Sequence, residues 1–414
     1  MTTRAATGPG LDITAIRKEF PILSQQINGH PLVYFDNAAT TQKPGQVIKA
    51  LTDYYSGYNA NIHRGIHTLA EKATKGFEET RVAAQHFLGA REKEEIIFVR
   101  GVTEAINLVA RAMGSRLLKK GDEILISGLE HHSNIVPWQM IAEEVGASIQ
   151  VIPVSENGEL DLSALDTLLS RKTKMVTVNH ASNSLGTIND IETIIDKAHE
   201  VGALVMIDGA QAAAHIDIDV QKLDCDFYCI SGHKMYGPTG VGVLYGKREH
   251  LEQMPPYMGG GEMIREVTFK KTTYNDIPYK FEAGTPNIAD VIALNEAFRF
   301  ISRISKDSIR RHEAQLLDYA ARQLTRLKGV RLVGTAREKV SVQSFLVDGV
   351  HPFDVGQLLD ARGIAVRTGH HCTQPLMEHF GIEGTVRASF AVYNTQEEID
   401  AMIEGISRIK GFLQ

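Results

Sequence analysis

The chain has 414 residues, of which 43% are hydrophobic and 23% charged, and this length predicts two or three domains. Its net charge of -6 argues against nucleic acid and anionic membranes as partners, because both would require a basic excess. Three cysteines are too few for a disulfide framework and are typical of a reducing compartment.

The first ten residues, MTTRAATGPG, lack the apolar stretch of a signal peptide, and we expect residues 1–10 to form a disordered tail. No run in the sequence approaches the roughly 18 apolar residues that predict a transmembrane helix. Together with the cysteine content, these features predict a cytoplasmic protein.

A short helical pattern, ITAIRKEF, lies within residues 11–30 and is predicted to pack beside the C-terminal part of the chain. From about residue 95, apolar runs alternate with amphipathic helical patterns. These runs are EEIIFVR, DEILISGLEHH, SIQVIPV, KMVTVNH, ALVMIDGAQ, DFYCISG and GVGVLYG. Apolar strands that alternate with helices predict a parallel sheet with helices on both faces, the doubly wound α/β class. We assign this large domain to residues 31–300.

The pattern changes after residue 300, where a long helical pattern extends to about residue 328. The later segments are VRLVG, VSVQSFLVDG, HPFDVGQLLDARG, IAVRTG, TVRASFAVYN and EEIDAMIEGISRIKG. This mixture of strands and helices predicts a smaller α+β domain, which we assign to residues 301–414.

Polar side chains follow nearly every predicted strand of the large domain. In open α/β sheets, ligands bind at the carboxyl ends of the strands, so these side chains are expected to share one crevice. They include Thr103, His131, Asn183, Asp208, Gln211, Ser231, His233 and Lys234. Helix capping is a structural alternative for Thr103 and for Asp208 when each is considered alone.

The composition of this set favours pyridoxal 5'-phosphate (PLP) over a nucleotide. No G-x-G-x-x-G follows a strand and opens a helix, and no G-x-x-x-x-G-K-[ST] is present. A helix that begins near Thr103 suits a phosphate. The acid Asp208 and Lys234 suit a pyridinium nitrogen and a covalent bond to the cofactor, respectively.

The chain resembles the cysteine desulfurases of the Suf type (group II, the SufS type), within the class V group of fold-type I PLP-dependent enzymes. The resemblance covers nearly the whole chain. Its segments are ITAIRKEFPIL, YFDNAATTQKP, GVTEAIN, LEHHSNIVPW, IDGAQ, SGHKMYGPTG, EAGTPN, RTGHHC and RASFAVYNT. It implies a large domain with a mostly parallel seven-stranded sheet and a smaller α+β domain.

The resemblance also implies a role for each cofactor contact. Lys234 would bind PLP covalently and move protons, Asp208 would pair with the ring nitrogen, and His131 would stack on the ring as a catalytic residue. Asn183 and Gln211 would lie near the phenolic oxygen. The implied phosphate ligands are Thr103, Ser231, His233 and, from the second subunit of a homodimer, Thr285.

The motif RTGHHC, residues 367–372, predicts sulfur chemistry. Cys372 lies in a polar turn, where Arg367, His370 and His371 could stabilise its thiolate. The resemblance implies that Cys372 takes the sulfur of L-cysteine as a persulfide and leaves L-alanine. This sulfur would supply iron-sulfur cluster assembly, and selenocysteine is a possible second substrate.

Three arginines, an asparagine and a histidine are the predicted substrate contacts. Arg387 is a lone cation in an apolar strand and suits a two-pronged contact with a carboxylate, which the resemblance identifies as the substrate α-carboxylate. A structural ion pair is its alternative. Arg367, Asn183, His63 and Arg64 are further predicted contacts. The histidine spacing in NIHRGIHT lacks the H-E-x-x-H pattern, so we predict no metal site.

Two other functions remain open from the sequence. An aminotransferase or lyase of the same fold would use Lys234 but not Cys372. A non-catalytic iron-sulfur scaffold is disfavoured because the cysteines are scattered, and Cys225 and Cys229 are expected to be buried and inert.

Suf-type enzymes pass their persulfide to an acceptor protein, which is either a plain cysteine protein or a zinc protein. The zinc-dependent pairing tends to use histidine where this chain has Phe353. We therefore expect a SufE-like acceptor rather than the zinc type.

Overall fold

The computed structural model describes residues 11–412, so the predicted tail at residues 1–10 lies outside the described residues. In chain order, the strands are β1 (Gln26–Ile27), β2 (His30–Pro31), β3 (Val33–Tyr34), β4 (Ile96–Val99), β5 (Glu123–Ser127), β6 (Ser148–Ile152), β7 (Thr173–Asn179), β8 (Leu204–Asp208), β9 (Phe227–Ser231), β10 (Gly242–Gly246), β11 (Ile264–Val267), β12 (Thr272–Tyr274), β13 (Val330–Val333), β14 (Val342–Val347), β15 (Ile364–Ala365), β16 (Arg367–Gly369) and β17 (Thr385–Ser389).

The α-helices are α1 (Ile13–Lys18), α2 (Gly45–Gly57), α3 (Thr68–Leu88), α4 (Val102–Val109), α5 (Ser115–Leu117), α6 (Val136–Val145), α7 (Leu165–Leu168), α8 (Ile191–Glu200), α9 (Val220–Leu223), α10 (Arg248–Gln253), α11 (Ile288–Ile304), α12 (Lys306–Arg326), α13 (Pro352–Asp360), α14 (Gln374–His379) and α15 (Gln396–Phe412). A π-helical turn at Ala110–Gly114 continues α4. Within residues 11–412, no helix is both long and apolar enough to cross a bilayer.

The seven apolar runs of the sequence form one sheet in the order β4-β10-β9-β8-β7-β5-β6. Strand β10 is antiparallel to both of its neighbours, and the other pairs are parallel. The prediction of a mostly parallel, doubly wound α/β sheet is confirmed. Because six strands point the same way, their carboxyl ends meet at one edge of the sheet.

The sheet is apolar on both faces because each face packs against a separate core. In β8, Val205 and Ile207 belong to the core beneath α11, whereas Met206 between them belongs to the core that contains Trp138 of α6. This alternation follows from the two-residue period of a strand. Two apolar faces explain why the strands read as continuous hydrophobic runs.

A second sheet, β13-β14-β17-β16, is antiparallel and packs against α12, α13 and α15 through its own core. Strand β3 pairs with β15, which joins the N-terminal region to this part of the chain. In α1, Arg17 binds the carbonyl of Tyr393 at 2.6 Å and Glu398 at 2.8 Å. The domain boundaries at residues 30 and 300 stay predictions.

Candidate active site

A cavity of about 240 Å³ lies where the parallel strands of the large sheet end. The cavity also borders the second sheet, β13-β14-β17-β16, which we call the small sheet. Side chains from the large-sheet and small-sheet regions therefore line the same cavity. The sequence-predicted residues that line it are Thr103, His131, Asn183, Asp208, Gln211, Ser231, His233, Lys234, Arg367, Cys372 and Arg387. The fold therefore brings most of the predicted site together.

Lys234 and Asp208 occupy the ends of neighbouring strands in the interior of this cavity. Burial lowers the pKa of the Lys234 amine, and the Asp208 carboxylate partly opposes that shift. Burial likewise raises the pKa of Asp208, which accepts one hydrogen bond from the backbone of Ala210 at 2.9 Å. A buried ammonium or carboxylate charge is unfavourable without a partner. The pair therefore suits a ligand that forms a covalent bond with Lys234 and places a cationic group beside Asp208.

His131 follows β5 and is held by its near neighbour. Its Nδ1 lies 2.8 Å from Ser133 Oγ and accepts the Ser133 backbone N–H at 3.0 Å. Burial, together with the nearby Lys234 charge, lowers the pKa of His131 to about 3. The imidazole is therefore neutral at physiological pH, which suits contact with the face of an aromatic ring.

The N-terminus of α4 gives the cavity an anion-binding end. Gly101 has φ of +153°, and a Cβ there would meet Ser231 Oγ at 3.3 Å. This close approach lets Ser231 Oγ accept the backbone N–H of Val102 at 2.9 Å. Thr103 and His233 lie beside it. Hydrogen-bond donors and a helix dipole at one point favour a phosphate.

Gln211 provides a test of whether the residues that line the cavity fit PLP. The side-chain oxygen of Gln211 is buried and has no hydrogen-bond partner among the described residues. Gln211 lines the same cavity as Lys234 and Asp208. The site therefore combines buried polar groups that need a partner with a helix N-terminus that suits a phosphate. The residues present fit PLP, which Lys234, Asp208, His131 and the start of α4 would hold.

Arg387 of β17 is buried and already partly paired. It donates to the carbonyl of Asn183 at 2.9 Å and to Asp36 at 3.1 Å, while Arg367 donates to the other Asp36 oxygen at 3.3 Å. The structural ion pair considered from the sequence is therefore present. Its Nε, however, is buried and has no partner within residues 11–412. Sequence reasoning missed Asp36, which lies two residues after β3 and within the motif YFDNAATTQKP.

Hydrogen bonds hold the loop around Cys372 in an uncommon conformation. His371 and Cys372 have φ of +54° and +58°, in the left-handed region. Asn183 donates to the carbonyl of His371 at 2.8 Å, and His132 N–H donates to the carbonyl of Cys372 at 2.8 Å. The Cys372 N–H donates to His370 Nδ1 at 3.0 Å. The half-buried Cys372 is thus fixed at the cavity wall.

From the sequence, His371 is expected to be a cation that stabilises the Cys372 thiolate, and its surroundings in the structure do not favour the charged form. Its Nε2 lies 2.8 Å from Thr385 Oγ1, and burial lowers its pKa to about 2. Nearby arginines shift the pKa in the same direction. His371 is therefore a neutral residue that anchors the loop.

A set of hydrogen bonds that sequence reasoning missed holds the turn before Lys234. The carbonyl of His233 accepts from Thr40 Oγ1 at 3.0 Å, from Thr41 N–H at 3.0 Å and from Lys43 Nζ at 2.9 Å. Burial lowers the pKa of Lys43 to about 7. A lysine in a polar loop gives no local signal of this contact.

Three predicted residues lie away from Lys234 within this chain. His63 pairs with Glu78 at 3.1 Å, and Arg64 pairs with Glu262 at 3.2 Å, both beside a separate cavity of about 320 Å³. Thr285 lines another cavity, of about 600 Å³. The assignment of Thr285 to a second subunit stays a prediction, as do the substrate contacts of His63 and Arg64.

The other two cysteines are buried in the cores, and burial raises the pKa of both thiols, Cys225 and Cys229. Cys229 Sγ donates to the carbonyl of Ile207 at 3.6 Å. Across the described part of the chain, no group of three or more His, Cys, Asp or Glu side chains is arranged to hold a metal ion.

The profile of the aminotransferase class-V family matches residues 33–402. The chain belongs to this family. Its members are PLP-dependent enzymes, in agreement with the predicted cofactor and with the fit of the cavity. The class-V membership and the observed sheet together confirm the predicted fold-type I architecture.

Three curated relatives of this class-V chain are named as cysteine desulfurases or probable cysteine desulfurases. A protein of Halalkalibacterium halodurans named probable cysteine desulfurase is 50% identical over 96% of this chain and 98% of its own length. A cysteine desulfurase of Dickeya dadantii is 49% identical over 97% of both chains. A probable cysteine desulfurase of Mycobacterium leprae is 53% identical over 96% of this chain and 65% of its own length. The chain spans 58–65% of the length of the first curated relatives that it matches.

Solved structures agree with the fold of the class-V chain. The cysteine desulfurase CsdA of Escherichia coli, as an S-sulfonic acid, superposes with a TM-score of 0.91 at 38% identity, and the match covers 97% of this chain and 99% of that one. A cysteine desulfurase from Thermococcus onnurineus gives a TM-score of 0.92 at 39% identity over 96% and 98% of the two chains.

Proposed function

We propose that the chain is a PLP-dependent cysteine desulfurase that converts L-cysteine to L-alanine and keeps the sulfur as a persulfide on Cys372. The observation that carries this proposal is the position of Cys372 in the wall of the cavity that Lys234 lines. A cysteine at that place can reach a substrate held near the lysine. The names of the relatives support the same reaction.

Substrate binding would use the cationic side of the cavity. Among the described residues, the buried Nε of Arg387 has no hydrogen-bond partner, and Arg387 lines the cavity together with Arg367. An arginine contact with the α-carboxylate fixes the orientation of cysteine. The thiol of the substrate would then lie toward Cys372.

Lys234 would move the proton at the substrate Cα. Because burial lowers its pKa, the neutral amine needed to accept a proton is more readily available than in water. PLP, when bound, supplies the electron sink for the negative charge that the substrate carbon develops. Asp208 would keep that sink cationic, and the neutral His131 would cover its face.

Cys372 would take the sulfur in a balanced transfer. Its thiolate attacks the substrate sulfur and forms an S–S bond, while the electron pair of the breaking C–S bond goes to Cβ. A proton added at Cβ and a proton returned to Cα by Lys234 then complete L-alanine, and the enzyme retains the persulfide. No external oxidant or reductant is required.

Turnover of L-cysteine by the PLP-loaded protein tests this proposal. We expect equal amounts of alanine and transferable sulfur, and we expect the C372S variant to lose persulfide formation. The matched control is C225A, which removes a thiol from the core. Full turnover by C372S would exclude this mechanism and favour a lyase or aminotransferase of the same fold.

The finer assignment is a Suf-type enzyme that supplies sulfur for iron-sulfur cluster assembly in the cytoplasm. Selenocysteine is its proposed second substrate. The proposed acceptor is SufE-like: Phe353 at the start of α13 is 55% exposed and shares a shallow cavity with Thr368, four residues before Cys372. Stimulation of turnover by a zinc acceptor alone would contradict this choice.

The proposed functional unit is a homodimer, in which Thr285 of each subunit reaches the other subunit's phosphate site. Sedimentation of the holoenzyme tests the dimer. Mixing inactive T285A and K234A chains tests the shared site, because a mixed dimer retains one site that is built from unaltered residues.

A further inference from the structure

A cavity of about 340 Å³ lies apart from the proposed active site, between the large-sheet and small-sheet regions. Its walls come from α12, from residues 332–343 and from His215 and Ile216. The volume is within the range of about 300–1,000 Å³ that is typical of small-molecule sites. None of its residues has a role in the proposed reaction.

Glu313 of α12 gives this cavity a buried acceptor. The residue is 2% exposed, and its Oε2 lies 2.6 Å from His215 Nδ1. Its other oxygen, Oε1, is buried and has no hydrogen-bond partner in the described residues. A buried carboxylate oxygen without a donor is costly, so a bound group that donates hydrogen bonds would relieve that cost.

Lys339 provides a cation in the same cavity. Its Nζ donates to the carbonyl of Gly334 at 2.7 Å and lies 3.4 Å from Gln343 Oε1. An ammonium group has three donors, so one remains for a ligand. Burial lowers the pKa of Lys339 to about 8, and an anionic ligand would favour its charged form. The apolar lining includes Ile188, Ile216, Ala314, Leu317, Leu332 and Val340.

We propose that this cavity binds a free amino acid with an apolar side chain. The ligand ammonium donates to Glu313 Oε1, its carboxylate accepts from Lys339, and its side chain contacts Leu317 and Ile216. The requirement for both charges distinguishes this ligand from a simple amine or a carboxylic acid.

The bound amino acid would touch two segments that lead to the proposed active site. Backbone hydrogen bonds from Ala212 to Gly209 and from His215 to Ala212, at 3.0 and 2.9 Å, connect the cavity wall to the turn after Asp208. On the other side, Gln343 belongs to β14, which pairs with the strand that carries Arg387.

Calorimetric titration of the PLP-loaded protein with L-leucine tests the proposal. We expect saturable binding at one site per chain, weakened about tenfold or more in E313Q and in K339M. The matched controls are E79Q and K75M, which alter an exposed pair 3.9 Å apart on α3. These controls should bind leucine as the unaltered protein does.

Two leucine analogues test the need for both charges. The amine 3-methylbutylamine lacks the carboxylate, and 4-methylpentanoate lacks the ammonium group. We expect each to bind about tenfold more weakly than leucine or worse. Equal binding of either analogue would contradict the proposed contacts.

The variant A314F provides a test of the cavity that does not depend on whether E313Q folds. Ala314 is on the exposed side of α12 and lines the cavity, so a larger side chain fills the space without removing a charge. A314F should abolish leucine binding. The proposal is overturned if leucine does not bind, or if E313Q, K339M and A314F bind it as the unaltered protein does.

Discussion

At the scale of single residues, the Lys234 and Asp208 pair shows how burial prepares a site for chemistry. Burial shifts the pKa of both side chains toward their neutral forms, and their mutual attraction only partly offsets that shift. A cationic ring nitrogen next to Asp208 would favour the carboxylate, as an opposite charge does for any buried acid. The acid therefore gains its function from the ligand that it helps to bind.

Replacement of this acid is the residue-scale prediction. We expect D208N to lower alanine formation about a hundredfold or more, because a neutral amide cannot stabilise the cationic ring. D208E keeps the charge and should recover part of the rate. Steady-state kinetics with excess PLP measures both variants, and unchanged turnover in D208N would contradict the assigned role.

At the scale of elements, the Cys372 loop depends on contacts from outside its own segment. Asn183, in the loop after β7, binds the backbone carbonyl of His371, and Thr385 of β17 contacts its ring. Because His371 Nδ1 is also buried without a partner in the described residues, the Thr385 contact is the side-chain hydrogen bond of that ring.

Removal of this contact should loosen the loop. T385V keeps the side-chain shape but leaves the imidazole of His371 unpaired, which we expect to cost about 1–3 kcal/mol of stability. Mass spectrometry measures the rate of persulfide formation. We expect this rate to decrease by a larger factor than the factor by which KM for cysteine changes. T325V, on an exposed face of α12, is the matched control. Equal effects of the two variants would show that the loop contact has no role.

A buried ion pair fixes the segment that precedes Thr285. Arg81 of α3 donates to both oxygens of Glu282 at 2.7 and 2.9 Å, and Glu282 also accepts the N–H of Phe98. The ion pair is almost completely inaccessible to water. Removal of only one partner leaves an uncompensated charge in the interior.

We expect R81M to lower the free energy of unfolding by about 3–5 kcal/mol. The double variant R81M/E282Q should lose less, because Glu282 is then no longer an unpaired buried charge, and Glu78, the other carboxylate that Arg81 binds, keeps its contact with His63. Urea unfolding of the three proteins gives the comparison. A double variant that is less stable than R81M would argue against charge burial as the main cost.

At the scale of the whole molecule, buried neutral histidines couple folding to pH. Burial lowers the pKa from 6.5 to about 3 for His131, about 4 for His180 and His233, and about 2 for His371. Below pH 6.5 the unfolded chain therefore takes up protons that the folded chain does not, so stability falls as pH falls. His199, with a raised pKa, partly opposes this trend.

We expect the urea midpoint of the protein to decrease between pH 6.5 and 5, with each depressed histidine contributing at most about 1.4 kcal/mol per pH unit. H180Q should reduce this dependence, because it removes one titrating ring. The control H379Q changes an exposed histidine. A midpoint that is constant over this range would contradict the neutral state of the buried rings.

Local pattern determined the sheet and the position of the site along the chain. Most of the apolar runs have a length and composition typical of a strand covered on both faces, and all seven runs became strands of one sheet. The exception in burial is the edge strand β6, in which only Ile152 is buried. The rule that ligands bind where parallel strands end then placed Asp208 and Lys234 at one edge. Hydrophobic periodicity carries this information because it depends on neighbours within the same element.

Only the tertiary structure decided which distant groups meet. Asp36 pairs with Arg387 across 351 residues, and Asn183 reaches the Cys372 loop across 188. It also decided that His371 is neutral, since burial is a property of the packed molecule and not of RTGHHC. The sequence by itself determined the strands and the chemical groups at their ends. The partners and charge states of those groups were decided by packing, because desolvation and hydrogen bonding depend on atoms that the chain brings together only when it folds.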